Sequence, residues 1–490
     1  MKLWWSLLML APIVPSATAA TIAQPGKSPL VTLRLVFRTG AASDPAGKEG
    51  VASLTAAMLG QGGSKSMTYQ QILDAMFPMA TGIEVQVDKE MTTFSAETHI
   101  DNLDRFYTIF RGMLLEPGWR NEDLTRLKDE AINFLRISLR GNNDEELGKE
   151  VLYNDIYSGH RYGHHNTGRI AAIEKLTLAD LQAFYRARYT QANLTIALAG
   201  GYPAGFPARI EKDFASLPKG RPSALKLSAP KRIEGRQLLM VEKQTRSVAI
   251  SLGFPIEVRR GHPDYPALLV AQSYLGQHRN SGVRLYDRLR EIRGLNYGDY
   301  AYIEYFPRGM YQFEPDPNLA RQQQIFQVWI RPVQPETAHF ALRLAMFELE
   351  KFHRDGLSQE DFEKTRGFLS KYVNLLTKTK RAELGYAIDS KFYGIPDYNS
   401  YLKTALAKLT RDEVNRAIRK HLPMDNLKIA MIAEGCEKLK EAIVSDAVST
   451  MTYNSPKPKD VLEEDKIVEK LPLRIKATNV RILKADTVFE

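Results

Sequence analysis

Residues Leu30 to Gly63 read LVTLRLVFRTGAASDPAGKEGVASLTAAMLGQGG, and this stretch decides the fold. Val31, Leu33, Leu35 and Phe37 alternate with less apolar neighbours, the period of a half-buried strand. Ser43-Asp44-Pro45-Ala46-Gly47 cannot extend that strand and reads as a turn. Gly50-Val51-Ala52-Ser53-Leu54-Thr55-Ala56-Ala57-Met58-Leu59 then reads as a short buried helix, ended by Gly60, Gly62 and Gly63.

Working outward, Thr68 to Phe77 reads as a helix and Gly82 to Thr98 as two strands around Lys89-Glu90. Asp101 to Leu115 and Asn121 to Leu139 read as amphipathic helices, each opened by an Asx residue suited to capping. Thr177 and Asp180 form a capping-box pattern before a helix that reaches about Tyr189, and Asn193 to Gly200 is a buried strand. The same unit returns when Thr410-Arg411-Asp412-Glu413 opens a helix leading to the strand Asn426 to Ala433, with equal distance from Thr to Asn. A helix-then-strand ending repeated at one offset implies two copies of one α+β unit.

The second copy starts near Gln237. Ser247 to Gly253, Tyr300 to Phe306 and Ile325 to Arg331 read as its strands. Asp264 to Gly276, Arg284 to Glu291, Glu336 to Phe352 and Ser358 to Leu376 read as its helices. The expected organisation is a leader at 1–19, a first domain at 20–205, a linker at 206–236, a second domain at 237–450 and a polar tail at 451–490, with one possible strand at Val480 to Leu483.

The 490 residues carry 44% hydrophobic and 25% charged side chains, an ordinary globular composition. The formal net charge is +10, but Lys and Arg are dispersed among Asp and Glu, so no nucleic-acid-binding tract exists. Met1-Lys2, the apolar run from Leu3 to Ala11 and the small residues Ala17-Thr18-Ala19 have the three parts of a secretory signal. Cleavage after Ala19 or Ala20 is expected, giving an exported, periplasmic or secreted chain without a stable membrane anchor. Cys436 is the single cysteine, so no intrachain disulfide can form.

The strand, the DPxGKxG turn and the buried helix resemble the start of the pitrilysin/insulinase family of zinc metallopeptidases. Gly159-His160-Arg161-Tyr162-Gly163 resembles its GHPYG loop, and Arg284 to Tyr297, RLYDRLREIRGLNY, matches its RLFxxLREKRGLAY segment. The resemblance covers nearly the whole mature chain. It implies an α+β fold of two homologous mixed α/β-sandwich domains forming one half of a clamshell.

In that family His-x-x-Glu-His follows the Gly-hydrophobic-Ala that here is Gly50-Val51-Ala52. Two imidazoles at i and i+4 share one helix face and reach one zinc, and the Glu serves its bound water. In this sequence the three positions are Ser53, Ala56 and Ala57, none of which can ligate zinc or act as a base. The family's third ligand, a Glu roughly 75 residues downstream, falls among Ile132, Asn133 and Phe134, with Glu130 off register.

The family's substrate-holding Arg and Tyr are retained as Arg290 and Tyr297, which the resemblance assigns to gripping the scissile carbonyl in a partner's site. It therefore implies no cofactor in this chain, zinc in a paralogous partner subunit, and peptide substrates. The rival expectation is a pseudoenzyme that binds peptides or acts as a scaffold with no associated hydrolysis. His160, His164 and His165 are expected in a solvated or substrate-facing loop, and Asp144-Glu145-Glu146 at a solvated helix start.

Overall fold

The structure, a computed structural model, describes residues 19–223 and 225–490. The leader expected at 1–19 lies outside the described residues except for Ala19. No helix among the described residues is long and apolar enough to cross a membrane.

Alternation in the opening stretch produces a central strand. β1 (Ala20–Pro25), β2 (Leu30–Phe37), β3 (Glu84–Val87), β4 (Thr92–His99) and β5 (Leu194–Gly200) form one sheet in the order β1-β5-β2-β4-β3. β2 lies antiparallel between β5 and β4, with Leu35 opposite Ile196 and Phe94, and β1 runs parallel to β5.

The second sheet repeats this plan. β6 (Arg236–Glu242), β7 (Val248–Ile256), β8 (Asp299–Tyr302), β9 (Gln324–Val333) and β10 (Leu427–Ala433) take the order β6-β10-β7-β9-β8, with β11 (Val480–Lys484) added beside β6. Leu252 of β7 stands opposite Ile429 and Val328, as Leu35 stands opposite Ile196 and Phe94. Thr177 with Asp180 and Thr410 with Glu413 both close complete capping boxes. The chain is thus two copies of one mixed α/β-sandwich unit, each sheet being covered by helices.

The copies exchange a helix. Asp144–Ile156, from the first copy, packs on β7, β9 and β10, while Lys380–Tyr393, from the second, packs on β1 and β5. Leu147, Val151 and Leu152 therefore share a core with Leu239, Val241, Ala430 and Ile432 of the second sheet. Leu384 and Ile388 cover Val36, Ala197 and Ala199 of the first. A buried aliphatic side chain contributes about 1.5–3 kcal/mol, so the exchange makes either domain a poor folder alone.

Several expectations are corrected. Phe206–Phe214 is a helix that buries Phe206, Ile210 and Phe214 in the first core, so it belongs to that domain rather than to a linker starting at 206. Its twin in the second copy is Cys436–Val444. Neither Asp101 nor Asn121 caps a helix: His99 accepts from the Asp101 N–H, and Arg120 precedes the Asn121–Asn133 helix without a side-chain cap. The helices Lys380–Tyr393 and Tyr398–Lys408 have no counterpart in the sequence reading.

The tail is integral. It contributes the helix Lys459–Val468 and β11, then returns Val488 and Phe489 to the first core, where Ile170 N–H donates to Phe489 O at 2.9 Å.

Candidate functional site

The helix Val51–Gln61 is fixed at its start by Asp44, which explains the DPxGKxG turn. Fully buried, Asp44 accepts from Gly50 N–H at 2.6 Å, Ala52 N–H at 2.9 Å and the His164 ring at 3.2 Å. These bonds offset a burial that pushes its carboxyl pKa up. Gly50 sits at φ +113°, and a Cβ there would lie 2.8 Å from Thr167 O, so glycine is required.

Ser53 and Ala57 face a cavity of about 790 Å³ between the two domains. Ala56 does not line it and is fully buried in the first core. Phe134 and Ser138, on the π-helical turn Phe134–Leu139, line the same cavity. Phe134 is one of the three residues to which counting assigned the third ligand. Glu130 instead pairs with Arg126 at 2.9 Å on the surface. Ser53, Ala57, Phe134 and Ser138 offer no imidazole, thiolate or carboxylate, so this donor set does not fit zinc.

Two sequence readings of polar clusters change. Of the solvated or substrate-facing loop, His164 and His165 are buried rather than solvated, though His165 lines the cavity; it packs against Phe134 and Phe489 and keeps 3.9 Å from Glu150. Burial pulls its pKa down to about 4, so the ring is neutral at physiological pH. His160 Nε2 lies 3.0 Å from Ser228 O. Glu145 and Glu146 are buried too: Glu145 pairs with Arg331 at 3.1 Å, and Glu146 with Lys149 at 3.0 Å. Asp144 accepts from Lys243 and from Thr245 at 2.6 Å. An acidic run opening a helix seemed solvated because the second domain that covers it lies far away in sequence.

The cavity's other wall comes from residues 303–323, an excursion between β8 and β9 where the first copy has the four-residue turn 88–91 between β3 and β4. It crosses to the first domain. Arg321 and Asp88 form a fully buried pair, Nε to Oδ2 at 2.6 Å, and Arg321 stacks 3.6 Å over Tyr305. Gln322 donates twice to Glu90 at 2.7 Å, and Tyr305 to Glu150 at 2.6 Å. Lys89, also fully buried, donates to His164 O, and burial beside Arg321 lowers its pKa to about 7. Sequence reasoning missed this network because its partners lie from 75 to 233 residues apart and follow no local period.

Arg290 and Tyr297 lie elsewhere, and neither lines the cavity. Leu285 and Leu289 anchor the segment in the second core. Arg284 and Arg288 bind Glu348 at 2.7 and 2.8 Å, and Arg293 binds Asp465 at 2.8 Å. Among the described residues Arg290 has no such inward partner: it lies 4.7 Å over the Tyr286 ring, contacts its hydroxyl and pairs with its neighbour Glu291 at 2.6 Å. Asn296 pins the next turn through Gly298 N–H, Asp299 and Arg331 O, leaving Tyr297 76% exposed. Arg290 and Tyr297 thus face outward from a segment whose neighbouring residues are anchored, separate from Ser53 and Ala57.

Comparison with known proteins gives two adjoining family matches, "Insulinase (Peptidase family M16)" over residues 19–168 and "Peptidase M16 inactive domain" over residues 175–369. The non-peptidase homolog YmxG of Helicobacter pylori is 20% identical over 83% of this chain and 89% of its own length. An uncharacterized zinc protease of Mycobacterium tuberculosis is 25% identical over 48% of this chain; the match spans about half, 53%, of that relative. Among solved structures, a peptidase M16 inactive domain from Pseudomonas fluorescens superposes with a TM-score of 0.74 at 24% identity, over 85% of this chain and 96% of that one. The periplasmic protease PqqL of Escherichia coli superposes with a TM-score of 0.67 at 13% identity, over 93% of this chain but only 49% of that chain.

Proposed function

Because the chain belongs to the insulinase family, peptidase family M16, as a member without the zinc-binding side chains, we propose that it is the non-catalytic subunit of a heterodimeric zinc metallopeptidase. It pairs with a zinc-bearing paralogue that hydrolyses peptides, and it lends Arg290 and Tyr297 to that subunit's site. The observation that carries this reading is the outward presentation of both residues, in a chain whose own zinc positions are Ser53, Ala56 and Ala57 and lie apart from them. That this chain corresponds to about half of PqqL supports an assembly of two such halves.

The chemistry asked of the pair is electrostatic. The guanidinium of Arg290 and the phenol of Tyr297 donate hydrogen bonds to the carbonyl oxygen of the scissile peptide, whose negative charge grows as the tetrahedral species forms. Zinc belongs to the partner; this chain holds and orients. The expected leader, together with the periplasmic location in the name of PqqL, supports an exported subunit.

A second reading, a peptide-binding or scaffold pseudoenzyme with no associated hydrolysis, is favoured by the similarity to a non-peptidase homolog over most of both chains. Mixing separates the two. The purified chain should hold less than about a tenth of an equivalent of zinc and cleave no quenched peptide, with cleavage appearing on addition of the paralogue. A paralogue equally active without this chain would leave only the second reading.

A further inference from the structure

We infer that Arg34, with Arg381 beside it, forms a carboxylate-recognition corner of the inter-domain cavity, taking the carboxylate of a bound peptide. This rests on the reading of that cavity as a peptide chamber.

β2 turns Val31, Leu33, Leu35 and Phe37 into the core, so Arg34 falls on the opposite face. There it stands in a cross-strand row with Ser95 on β4 and Glu84 on β3, and all three line the cavity. Arg34 is only 5% exposed, yet it has no carboxylate within ion-pairing distance among the described residues. Its Nη1 donates to Asn318 Oδ1 at 2.5 Å, and its Nε has no acceptor.

A buried guanidinium without a counter-ion is rare, because such a charge is normally paired. The neighbouring acids are already engaged. Glu84 pairs with Arg381 and Asp316 with Arg308. Asp389 accepts from Asn318 and lies 3.6 Å from Arg260. Burial, then repulsion from Arg381, pulls the Arg34 pKa down to about 10, so the corner holds its positive charge at a cost that an incoming anion would offset. The planar fork suits two carboxylate oxygens, and Thr93, whose hydroxyl is buried without a partner in the same cavity wall, offers a further donor. A peptide supplies such an anion at its C-terminus or at an Asp or Glu side chain.

The test uses the full chain alone and fluorescence anisotropy with three labelled decapeptides: one free of Asp and Glu with a C-terminal acid, its C-terminal amide, and that amide carrying one internal Glu. At least one carboxylate peptide should bind tenfold or more tighter than the plain amide, and which one does identifies the source. Arg34→Gln should abolish the preference and Arg34→Lys should keep part of it. Equal binding of all three, no binding, or a preference that survives Arg34→Gln overturns the inference. The wild-type comparison decides even if the variant folds poorly. Because no partner is present, failure here leaves the subunit reading standing, while a silent mixture with the carboxylate preference intact would remove only the subunit reading.

Discussion

The two copies share strand order, register and capping boxes, yet they differ in what they show to solvent. The first copy turns its distinctive helix face, Ser53 and Ala57, into the cavity between the domains. The second turns Arg290 and Tyr297 outward and grows a 21-residue excursion where the first has a four-residue turn. The difference teaches that scaffold and chemistry are separable: apolar periodicity sustains both sheets, while the polar residues that distinguish the copies rest on a few positions that packing does not dictate. It also shows that the copies are not independent, since each sheet is roofed by the other's helix and the excursion locks 303–323 to the first domain.

That interlock is where the comparison breaks most readily. Arg321→Met leaves Asp88 buried without its cation and should cost ~3 to 5 kcal/mol in denaturant unfolding, with Asp88→Leu added to it recovering much of the loss. A loss below about 1 kcal/mol would mean that the excursion is not a structural latch.

The copies can also be compared by pH. Burial lowers His165 in the first copy, and His278 and His339 in the second, from 6.5 to about 4. The unfolded chain then binds protons that the folded chain refuses, so stability falls as pH descends from 6.5 toward 4, by on the order of 2 kcal/mol for each ring. Urea midpoints at pH 7 and pH 4.5 should show this loss, with His165→Gln and His278→Gln each reducing its slope. A pH-independent midpoint across that window would contradict the burial of these rings.

The smallest effect tests equivalence itself. Thr177→Ala and Thr410→Ala each remove a capping-box acceptor and should cost about 1 kcal/mol apiece. Thermal melts differing by more than twofold in the two losses would show that the matched units carry unequal weight.

These particulars also mark how far the amino-acid sequence was legible. Alternation at Val31 to Phe37 and the Thr-to-Asn spacing at 177–193 and 410–426 are local signals, and both sheets follow from them. The exchanged helices were opaque because Lys380–Tyr393 is buried on a sheet from a distant part of the chain, and its sequence alone does not announce a partner. Glu145, Glu146 and His164 look like surface residues until the distant Arg331, Arg308 N–H and Asp44 are brought beside them. Family resemblance pointed to Ser53, Ala57 and Phe134, and these three line one cavity. Arg34 carried no signal at all, since an arginine in an alternating strand reads as solvent-facing.

The central claim, that this chain grips a peptide bond another subunit cleaves, is tested most directly by steady-state kinetics of the mixed subunits carrying Arg290→Ala or Tyr297→Phe. The account predicts that the complex still assembles while kcat/KM falls tenfold to a thousandfold, on the order of 1–4 kcal/mol of lost transition-state stabilisation. Wild-type rates in both variants would contradict it.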